Sequence, residues 1–313
     1  MIYIIGHIKP DLDSAVASVS LKYLFDKKPC FQRFNSQPVL ASEANFETKT
    51  IFTKFKAKLP PVLLKKQVRV KDKFVLVDHN EPSQRFDKIA DQQVIDIFDH
   101  HKAFINLPTP IYITIKPWGS TNTLIFHLME VSQIKPEKNL AGLMISAILS
   151  DTVALKSPTT TIVDKQAVKK LNSIAKIKDL KGLVLEIFKA KSSLAGLTDK
   201  QILAKDYKIY QFSGKKVLIG QVETVEQEKL IIKSEQLIKS FSELKKDLKL
   251  NHAFCVITDI LRINSKCFVN QEDEKILIKA FPKSKKIKEG VFDLGPILSR
   301  KKEIAPAIEN SIL

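Results

Sequence analysis

The chain opens with the stretch Ile2-Tyr3-Ile4-Ile5-Gly6-His7-Ile8-Lys9-Pro10-Asp11-Leu12-Asp13-Ser14, in which an apolar run leads directly into acidic and imidazole side chains. A short apolar run that ends at a turn is typical of a strand buried on both faces. The same order recurs in two more stretches, Phe74 to Val77 before Asp78-His79-Asn80-Glu81 and Val94 to Phe98 before Asp99-His100-His101. Ligands of open α/β sheets bind beyond the carboxyl ends of the strands. We therefore expect these distant clusters to converge on one crevice.

The first half of the chain alternates strand-like and helix-like segments. Ser14 is a candidate N-cap for a helix whose apolar residues, from Ala15 to Leu24, recur at helical spacing. Ile111 to Ile115 is predicted to be a further strand, and Glu137 to Ser150 carries the apolar stripe of a packed helix. This alternation predicts an α/β fold in which a mostly parallel sheet is flanked by helices.

A second, smaller α/β domain is predicted after a short linker. The small and polar residues of Lys189 to Gly196 favour a break in the chain there. We expect a first domain at residues 1–188, a linker at 189–196 and a smaller domain at 197–313. The elements predicted for the smaller domain are strands at Lys216 to Val222, Phe254 to Thr258 and Ile276 to Phe281, a long helix from Val225 to Leu248 and a final helix from Glu303 to Asn310.

The composition describes a large, basic, globular chain. Its 313 residues are 44% hydrophobic, which suffices to bury a sizeable core. Lysine and arginine number 51 against 34 acidic residues, a net charge of +17. Such a charge fits nucleic-acid binding, the steering of a polyanionic small substrate, or a lysine-rich surface with no specific role. Aromatic residues are not interleaved with the basic runs as stacking platforms for bases, so we expect no nucleic-acid partner.

The sequence predicts a cytoplasmic location without membrane insertion. No apolar stretch approaches the roughly 20 residues that span a bilayer. The N-terminus lacks the succession of basic region, apolar segment and cleavage site that marks a secretory signal. Cys30, Cys255 and Cys267 show neither CxxC spacing nor a disulfide pattern, which fits a reducing compartment.

Each acidic cluster near the N-terminus has a structural as well as a chemical interpretation. Asp11 and Asp13, with His7 four residues before Asp11, can face one point from a tight loop. Either carboxylate could instead cap the helix that follows. Asp78 with His79 could equally form an Asx turn.

Two further segments favour metal binding more strongly. Asp99-His100-His101 at a buried strand end would be costly to desolvate without partners, which a metal ion would supply. Asp151 ends a predicted helix, where the macrodipole disfavours a negative charge unless a cation is bound nearby. Capping of the next segment is the alternative for Asp151.

The donor types predict hard divalent cations and an anionic ligand. Carboxylates with one or two imidazoles and no thiolate favour Mn²⁺, Mg²⁺ or Co²⁺ over a structural zinc. Several carboxylates in one place suggest two metals roughly 3.5–4 Å apart. The run Ser299-Arg300-Lys301-Lys302 precedes the final predicted helix, where a bound anion would satisfy the cations and the helix N–H groups. An ordinary exposed basic run is the alternative.

Together, these motifs resemble the DHH phosphoesterase superfamily. The resemblance rests on Gly6-His7, Pro10-Asp11, Asp13-Ser14, Asp78-His79-Asn80-Glu81 and Asp99-His100-His101. The C-terminal Ser-Arg-Lys-Lys run is similar to the DHHA2 domain of family II, manganese-dependent inorganic pyrophosphatases, and Gly119-Ser120-Thr121, Ser146 to Thr152 and Lys156 to Thr159 agree with it. The resemblance implies a DHH domain at 1–188 and a DHHA2 domain at 197–313.

The resemblance also implies a role for individual residues. It implies two Mn²⁺ per subunit, with Co²⁺ as a substitute and Mg²⁺ arriving with the substrate. One metal would be bound by His7, Asp11 and Asp78, and the other by Asp13, Asp78, His100 and Asp151, with Asp78 bridging. The implied catalytic and substrate-binding residues are His101, Lys208, Arg300 and Lys301, with Lys205 as a competitor for the role of Lys208.

The implied reaction is hydrolysis of inorganic pyrophosphate to two phosphates by a hydroxide that bridges the metals, in a site closed by the cationic C-terminal domain of a homodimer. The alternatives are an exopolyphosphatase or small-oligonucleotide phosphodiesterase of the same superfamily, and a basic nucleic-acid-binding protein without activity. An oligonucleotide enzyme of this superfamily would be expected to end in a Gly-rich motif, whereas this tail has only Gly290 and Gly295. The sequence therefore predicts a pyrophosphatase.

Overall fold

In a computed structural model of the chain, which describes residues 1–28, 35–194, 197–203 and 206–312, five short strands pair side by side near the N-terminus. All neighbours are parallel, in the order β2-β1-β3-β4-β5. The strands are β1 (Ile2–Ile5), β2 (Ser36–Val39), β3 (Lys73–Val77), β4 (Val94–Asp99) and β5 (Tyr112–Ile115). The predicted parallel α/β fold is therefore confirmed, although the sequence analysis missed β2, whose Pro38 is tolerated because β2 is an edge strand.

The register of this sheet brings the sequence clusters to one edge. Ile5 pairs with Leu76, and Leu76 in turn pairs with Ile97. The carboxyl ends of β1, β3 and β4 are consequently level, and the segments that follow them start side by side. The helices of this part of the chain are α1 (Leu12–Lys27), α2 (Phe46–Lys54), α3 (Thr121–Val131), α4 (Lys138–Asp151), α5 (Ile162–Ala175) and α6 (Leu180–Lys191).

Helix α1 is the central helix of this layer, packed against β1, β2 and β3 on one side and against α3 and α4 on the other. Its small residues Ala15, Ala17 and Ser18 are fully buried and allow these neighbours to approach closely. The helix begins differently from the prediction, because Asp11, and not Ser14, is the N-cap. The Asp11 carboxylate accepts from the Ser14 backbone N–H at 2.9 Å.

The rest of the chain forms a second sheet of six strands in the order β10-β11-β9-β8-β7-β6. Only β7 and β8 are parallel; the other neighbours are antiparallel. The strands are β6 (Tyr207–Phe212), β7 (Lys215–Glu223), β8 (His252–Asp259), β9 (Asn264–Val269), β10 (Lys285–Lys288) and β11 (Val291–Gly295). The helices are α7 (Asp199–Leu203), α8 (Gln227–Ile232), α9 (Ser234–Asp247), α10 (Glu274–Ala280) and α11 (Ala305–Ile312).

Alternation along β8 shows how this sheet is buried on both faces. Phe254 and Val256 belong to a core that includes Ile304 and Ile308 from the C-terminus. The intervening Cys255 belongs to a core on the opposite face, with residues of α8 and α9. Successive side chains of β8 thus pack against helices on opposite faces of the sheet, as expected from the two-residue repeat of a strand.

Three predictions for this second half were wrong in detail. The predicted strand Ile276 to Phe281 is helix α10, in which only Leu277 is buried. The acidic run Glu272-Asp273-Glu274 favours a helix start there, and the segment packs on α11. The predicted long helix is two helices that are separated at Lys233. The final helix starts earlier than predicted, since Arg300–Ile304 already forms a π-helical turn capped by Ser299.

The chain divides into two compact units, Met1–Lys191 and Ser192–Leu313. The predicted linker at 189–196 begins inside α6, and its residues 195–196 lie outside the described residues. The linker and its boundaries therefore stay a prediction. Among the described helices, none has both the length and the apolar character that crossing a membrane would require.

Candidate metal centre

Asp78, directly after β3, lies at the middle of the converging clusters. Its side chain is almost fully buried, and its backbone N–H donates to the Phe98 carbonyl at 3.0 Å. Its φ of 62° places a non-glycine residue in the left-handed region, a conformation that costs free energy and is frequent at functional sites. This backbone turn directs the Asp78 carboxylate toward imidazoles from two other loops.

The first group of predicted ligands surrounds one oxygen of Asp78. His7 Nε2 lies 3.6 Å from Asp78 Oδ2 and also 3.6 Å from Asp11 Oδ1. The ligand atoms of these three residues lie within 4.8 Å of one another. Asp11 therefore caps α1 and contributes to the cluster, so that its two interpretations from the sequence are compatible.

The second group surrounds the other oxygen of Asp78. His100 Nε2 lies 3.4 Å from Asp78 Oδ1 and 3.3 Å from Asp151 Oδ2. The ligand atoms of Asp13, His100 and Asp151 again lie within 4.8 Å of one another. The structure thus brings together all six residues that the sequence nominated as metal ligands, in two groups on either side of Asp78.

Asp151 is the last residue of α4, as predicted. The helix stops there because three consecutive residues, Val153, Ala154 and Leu155, adopt positive φ angles of 49°, 54° and 64°. Left-handed backbone is unfavourable for β-branched valine in particular. Thr152 supports this turn, since its hydroxyl oxygen accepts from the Leu155 N–H at 3.1 Å. The abrupt end of the helix leaves the Asp151 carboxylate directed at the cluster.

His101 occupies a different position from His100. Its side chain is 56% exposed, and its Nδ1 lies 2.9 Å from the fully buried carboxylate of Asp99. Asp99 also accepts from the backbone N–H groups of His100 and His101. Asp99 therefore fixes the turn after β4 and the orientation of the His101 ring.

The two imidazoles of the cluster are strongly influenced by the carboxylates. Burial by itself would lower the pKa of His7, but hydrogen bonds and charge attraction from Asp11 and Asp78 outweigh it and raise that pKa to about 10. Burial would likewise lower the pKa of His100. The carboxylates of Asp78, Asp13 and Asp151 together outweigh this effect and raise the pKa of His100 to about 10. Without a metal, both rings hold a proton at neutral pH.

The carboxylates respond to the same environment in opposite directions. Burial, together with repulsion from Asp78, raises the pKa of Asp13 to about 7. Burial, together with repulsion from Asp13 and Asp78, raises the pKa of Asp151 to about 9. Burial would also raise the pKa of Asp78, but the His100 and His7 imidazoles, 3.4 and 3.6 Å from its oxygens, outweigh burial and hold that pKa well below the ordinary range. The cluster carries more negative charge than its own imidazoles can balance.

A divalent cation fits this cluster better than the protein's own groups do. His100 Nε2 and Asp151 Oδ2 are buried and lie 3.3 Å apart, but neither makes a well-oriented hydrogen bond with any described group. The opposite ring nitrogen of His100, Nδ1, lies 2.9 Å from the Trp118 carbonyl, which directs Nε2 toward the carboxylates. Four carboxylates and two imidazoles without a thiolate suit a hard or borderline metal such as manganese.

The sequence analysis missed most of the groups that support these ligands. Asn80 donates to Asp99 Oδ2 at 2.6 Å and accepts from the Phe104 N–H at 2.6 Å, which links the turns after β3 and β4. His79 is buried with its Nδ1 2.9 Å from the Val77 carbonyl, and burial together with the charge of His7 lowers its pKa to about 4. The run Asp78-His79-Asn80-Glu81 contains both residues, but their supporting role becomes visible only once β3 is paired with β4.

An open cavity of about 240 Å³ lies over the first group of ligands. His7, Asp11, Asp78, Asp151 and His101 reach its wall. The wall also includes side chains for which the sequence analysis proposed no role, namely His79, Asn80, Glu81 and Gln84. The cavity has room for a small polar molecule next to the ligands.

The predicted substrate-binding cations belong to the second unit. Arg300 donates from Nη2 to Asp206 Oδ1 at 2.8 Å and from Nη1 to the Asp206 carbonyl at 3.1 Å. Its Nη1 also reaches the carbonyl of Ile219, the register partner of Lys208, at 3.5 Å. Arg300 and Lys208 therefore lie at the same end of the β6–β7 pair. Lys301 is exposed, and Lys205 lies outside the described residues.

Comparisons with known proteins agree with this architecture. The DHH family, N-terminal domain, matches residues 1–148, and the DHHA2 domain matches residues 185–311. A crystal structure from Methanococcus jannaschii, assigned to family II inorganic pyrophosphatases, superposes with a TM-score of 0.63 at 35% identity and covers 99% of both chains. An exopolyphosphatase-related protein from Bacteroides fragilis, with a TM-score of 0.52 and 15% identity over 99% of this chain and 91% of its own, shares the fold.

Two relatives carry the assignment further. The manganese-dependent inorganic pyrophosphatase of Methanocaldococcus jannaschii is 36% identical over an alignment of 321 positions, which covers 99% of each chain. That of Methanothrix thermoacetophila is 35% identical over an alignment of 314 positions, which covers 99% of this chain and 98% of the relative. At this identity over the full length, the chain belongs to the family II, manganese-dependent inorganic pyrophosphatases.

Proposed function

We propose that this chain hydrolyses inorganic pyrophosphate to two phosphates and requires manganese for the reaction. The observation that carries the proposal is the arrangement of six ligand residues in two groups that share Asp78. The names of the full-length relatives, which specify pyrophosphate and manganese, support the same reaction.

In the proposed assignment, His7, Asp11 and Asp78 bind one cation, and Asp13, Asp78, His100 and Asp151 bind the other. Two divalent cations at these positions would supply a nucleophilic water of lowered pKa and would neutralise charge on the phosphates. A bridging role for Asp78 is supported by the use of its two oxygens, since Oδ2 faces His7 and Oδ1 faces His100.

His101 is the proposed proton donor to the departing phosphate. The hydrogen bond that His101 Nδ1–H donates to Asp99 is the main reason that the pKa of His101 is raised. With Nδ1 occupied by Asp99, the proton available for transfer is the one on Nε2. The partial exposure of His101 and its place in the cavity wall suit contact with a substrate.

Lys208, Arg300 and Lys301 are the proposed phosphate-binding residues. A guanidinium has five N–H groups, and the contacts of Arg300 with Asp206 and Ile219 use only part of them. Lys208 Nζ lies 5.4 Å from the centre of the Tyr210 ring, which holds the ammonium above the β6 strand. The planar guanidinium of Arg300 and the ammonium of Lys208 are together suited to bind the oxygens of a diphosphate.

The test compares phosphate release from pyrophosphate, long polyphosphate and a dinucleotide, with Mn²⁺ and after chelation. We expect turnover of pyrophosphate that chelation abolishes and Mn²⁺ restores. Turnover of the dinucleotide without turnover of pyrophosphate would contradict the proposal and favour an oligonucleotide phosphodiesterase. Preference for polyphosphate would favour an exopolyphosphatase, and absence of turnover with nucleic-acid binding would favour the non-enzymatic alternative.

The phosphate-binding residues are tested with a matched pair of lysines. Lys208→Met should lower kcat/KM for pyrophosphate by roughly 10²- to 10³-fold, the usual effect of removing a group that stabilises transition-state charge. Lys216→Met removes an exposed lysine from the neighbouring strand β7 and should change kcat/KM by no more than about twofold. Lys205→Met in the same assay decides between the two candidate lysines. A full effect in Lys205→Met and none in Lys208→Met would reassign the role.

Five further properties stay predictions. Co²⁺ should substitute for Mn²⁺, and Mg²⁺ should accompany the substrate. The metal content of the dialysed protein should be two per chain, as inductively coupled plasma spectrometry can measure. We also predict a homodimer and a cytoplasmic location. The exposed side chains of Tyr112 and Ile113 on the outer strand β5 support self-association, which light scattering after gel filtration would detect.

A further inference from the structure

Residues 118–123, which lie just before and at the start of α3, support the second group of ligands. This stretch is called the 118–123 segment below. The carboxylate of Asp13 accepts from the Thr121 N–H at 2.8 Å and from the Asn122 side-chain amide at 2.8 Å. The Ser120 hydroxyl donates to the same carboxylate. Asp13 therefore lies at the N-terminus of α3, where unpaired N–H groups favour an anion.

The same segment contacts two more of the proposed ligands. The Thr121 hydroxyl donates to Asp78 Oδ1 at 2.8 Å. The Trp118 carbonyl lies 2.9 Å from His100 Nδ1. One six-residue segment thus sets the orientation of Asp13, Asp78 and His100, and a shift of the segment would move all three together.

Asp164, in the first turn of α5, is the group that holds this segment in place. It is fully buried and makes no contact with the metal cluster. Its Oδ1 accepts from the Thr123 hydroxyl at 2.6 Å, and the Gly119 N–H lies 3.1 Å from Oδ1 and 3.0 Å from Oδ2. Both donors belong to the 118–123 segment, one on each side of residues 120–122, which contact Asp13 and Asp78.

Capping of α5 does not account for these contacts. The capping box uses Oδ2, which accepts from the Thr161 N–H and hydroxyl at 2.7 Å each. The Gly119 N–H and the Thr123 hydroxyl are additional donors, and the Thr123 hydroxyl contacts Oδ1, which the capping box does not use. Gly119 shows how closely the segment is packed against this carboxylate. A Cβ at Gly119 would lie 2.9 Å from Asp164 Oδ2 and 2.5 Å from the Thr152 methyl carbon, so that the chain could not keep this approach with any other residue.

We propose that Asp164 is a positioning residue for metal binding, which fixes the 118–123 segment and through it the orientation of Asp13 and His100. The inference rests on the proposed assignment of Asp13, Asp78, His100 and Asp151 to one metal. It adds a residue that touches neither metal nor substrate and acts through backbone and hydroxyl donors. Residues that orient metal ligands from the second shell typically alter metal affinity by 10- to 100-fold.

The experiment uses two isosteric changes on opposite sides of the same carboxylate. Thr123→Val removes the hydroxyl donor to Oδ1, and Thr161→Val removes the hydroxyl donor to Oδ2. Each variant, and Asp164→Asn, is titrated with Mn²⁺ by isothermal calorimetry and its melting temperature is measured. An Asp13→Asn variant identifies which of the two binding steps belongs to the second group.

We expect Thr123→Val and Asp164→Asn to weaken that step by about tenfold. The other step, and both steps in Thr161→Val, should stay within about twofold of the wild type. Activity of Thr123→Val should recover when Mn²⁺ is raised about tenfold, a rescue that a purely structural defect would not show. Should Asp164→Asn fail to fold, the two threonine variants still decide the question.

The inference is overturned if the folded Thr123→Val protein binds both metals like the wild type, or if Thr123→Val and Thr161→Val weaken binding equally. Failure of the proposed function would look different. In that case the wild-type chain itself would show no manganese binding or no release of phosphate from pyrophosphate.

Discussion

Binding of manganese to the metal-free protein should release protons, because the empty cluster balances its charge with them. In that state the pKa values of His7 and His100 are both about 10, raised by the carboxylates against the effect of burial. The pKa of Asp151 is about 9, raised by burial and by its acidic neighbours. A metal ligand must be deprotonated, so that each of these groups loses its proton when a cation binds.

The number of protons follows from these values. At pH 8, His7, His100 and Asp151 are each largely protonated in the metal-free protein. Asp13, with a pKa of about 7, is largely ionised at that pH. Binding of two metals should therefore release about three protons, one from each protonated ligand. Since protons compete with the metal, the apparent affinity should rise with pH from 6 to 9.

Calorimetric titration with Mn²⁺ in buffers of different ionisation enthalpy measures this number directly. Asp151→Asn cannot release the proton of Asp151 and should lower the count to about two. Asp72→Asn is the matched control, because Asp72 is a buried carboxylate that accepts from Met1 and Arg69 at the opposite, amino end of β3. Release of fewer than about one proton by the wild type, or an equal count in Asp151→Asn, would refute the reasoning.

Three other perturbations give measurable results. If Asp151→Asn weakens manganese binding about 100-fold, the stabilisation of the first unit by saturating Mn²⁺ should fall by about 2.7 kcal/mol, or roughly 5–11 °C in a thermal melt. Asp99→Asn removes the main cause of the raised pKa of His101, so the alkaline limb of the pH–rate profile should move to lower pH, whereas an unchanged limb would exclude His101 as the proton donor. Phe254→Ala should cost the second unit about 3–5 kcal/mol in urea unfolding, because Phe254 is fully buried in its core.

The convergence of the proposed ligands could be predicted from the sequence because each lies next to a strong local signal. The apolar runs before His7, Asp78 and His100 mark buried parallel strands, and parallel strands align their carboxyl ends. Asp151 was found from the mismatch between its charge and the end of its helix. In each case a short stretch of sequence determined both the local structure and the position of the side chain.

The supporting groups could not be predicted because their partners are distant in the sequence. Asp164 lies 45 residues after Gly119, and Asn122 lies 109 residues after Asp13. No local pattern links such pairs, and Asp164 alone looks like an ordinary capping residue. The error at Ile276 to Phe281 has a related origin, since a short apolar run fits a strand or a helix until its packing partner α11 is known.

Asp11 and Asp13 show that capping is compatible with the proposed metal binding. Asp11 Oδ1 accepts from the N–H of Ser14 at the start of α1, and Asp13 accepts from the N–H of Thr121 at the start of α3. A carboxylate has enough lone pairs to accept from a helix terminus and still bind a cation. These N–H groups orient the Asp13 oxygens but do not neutralise them, because burial and the neighbouring Asp78 still raise the pKa of Asp13. The α3 terminus therefore holds the Asp13 carboxylate in a fixed geometry and leaves its charge available to the proposed metal.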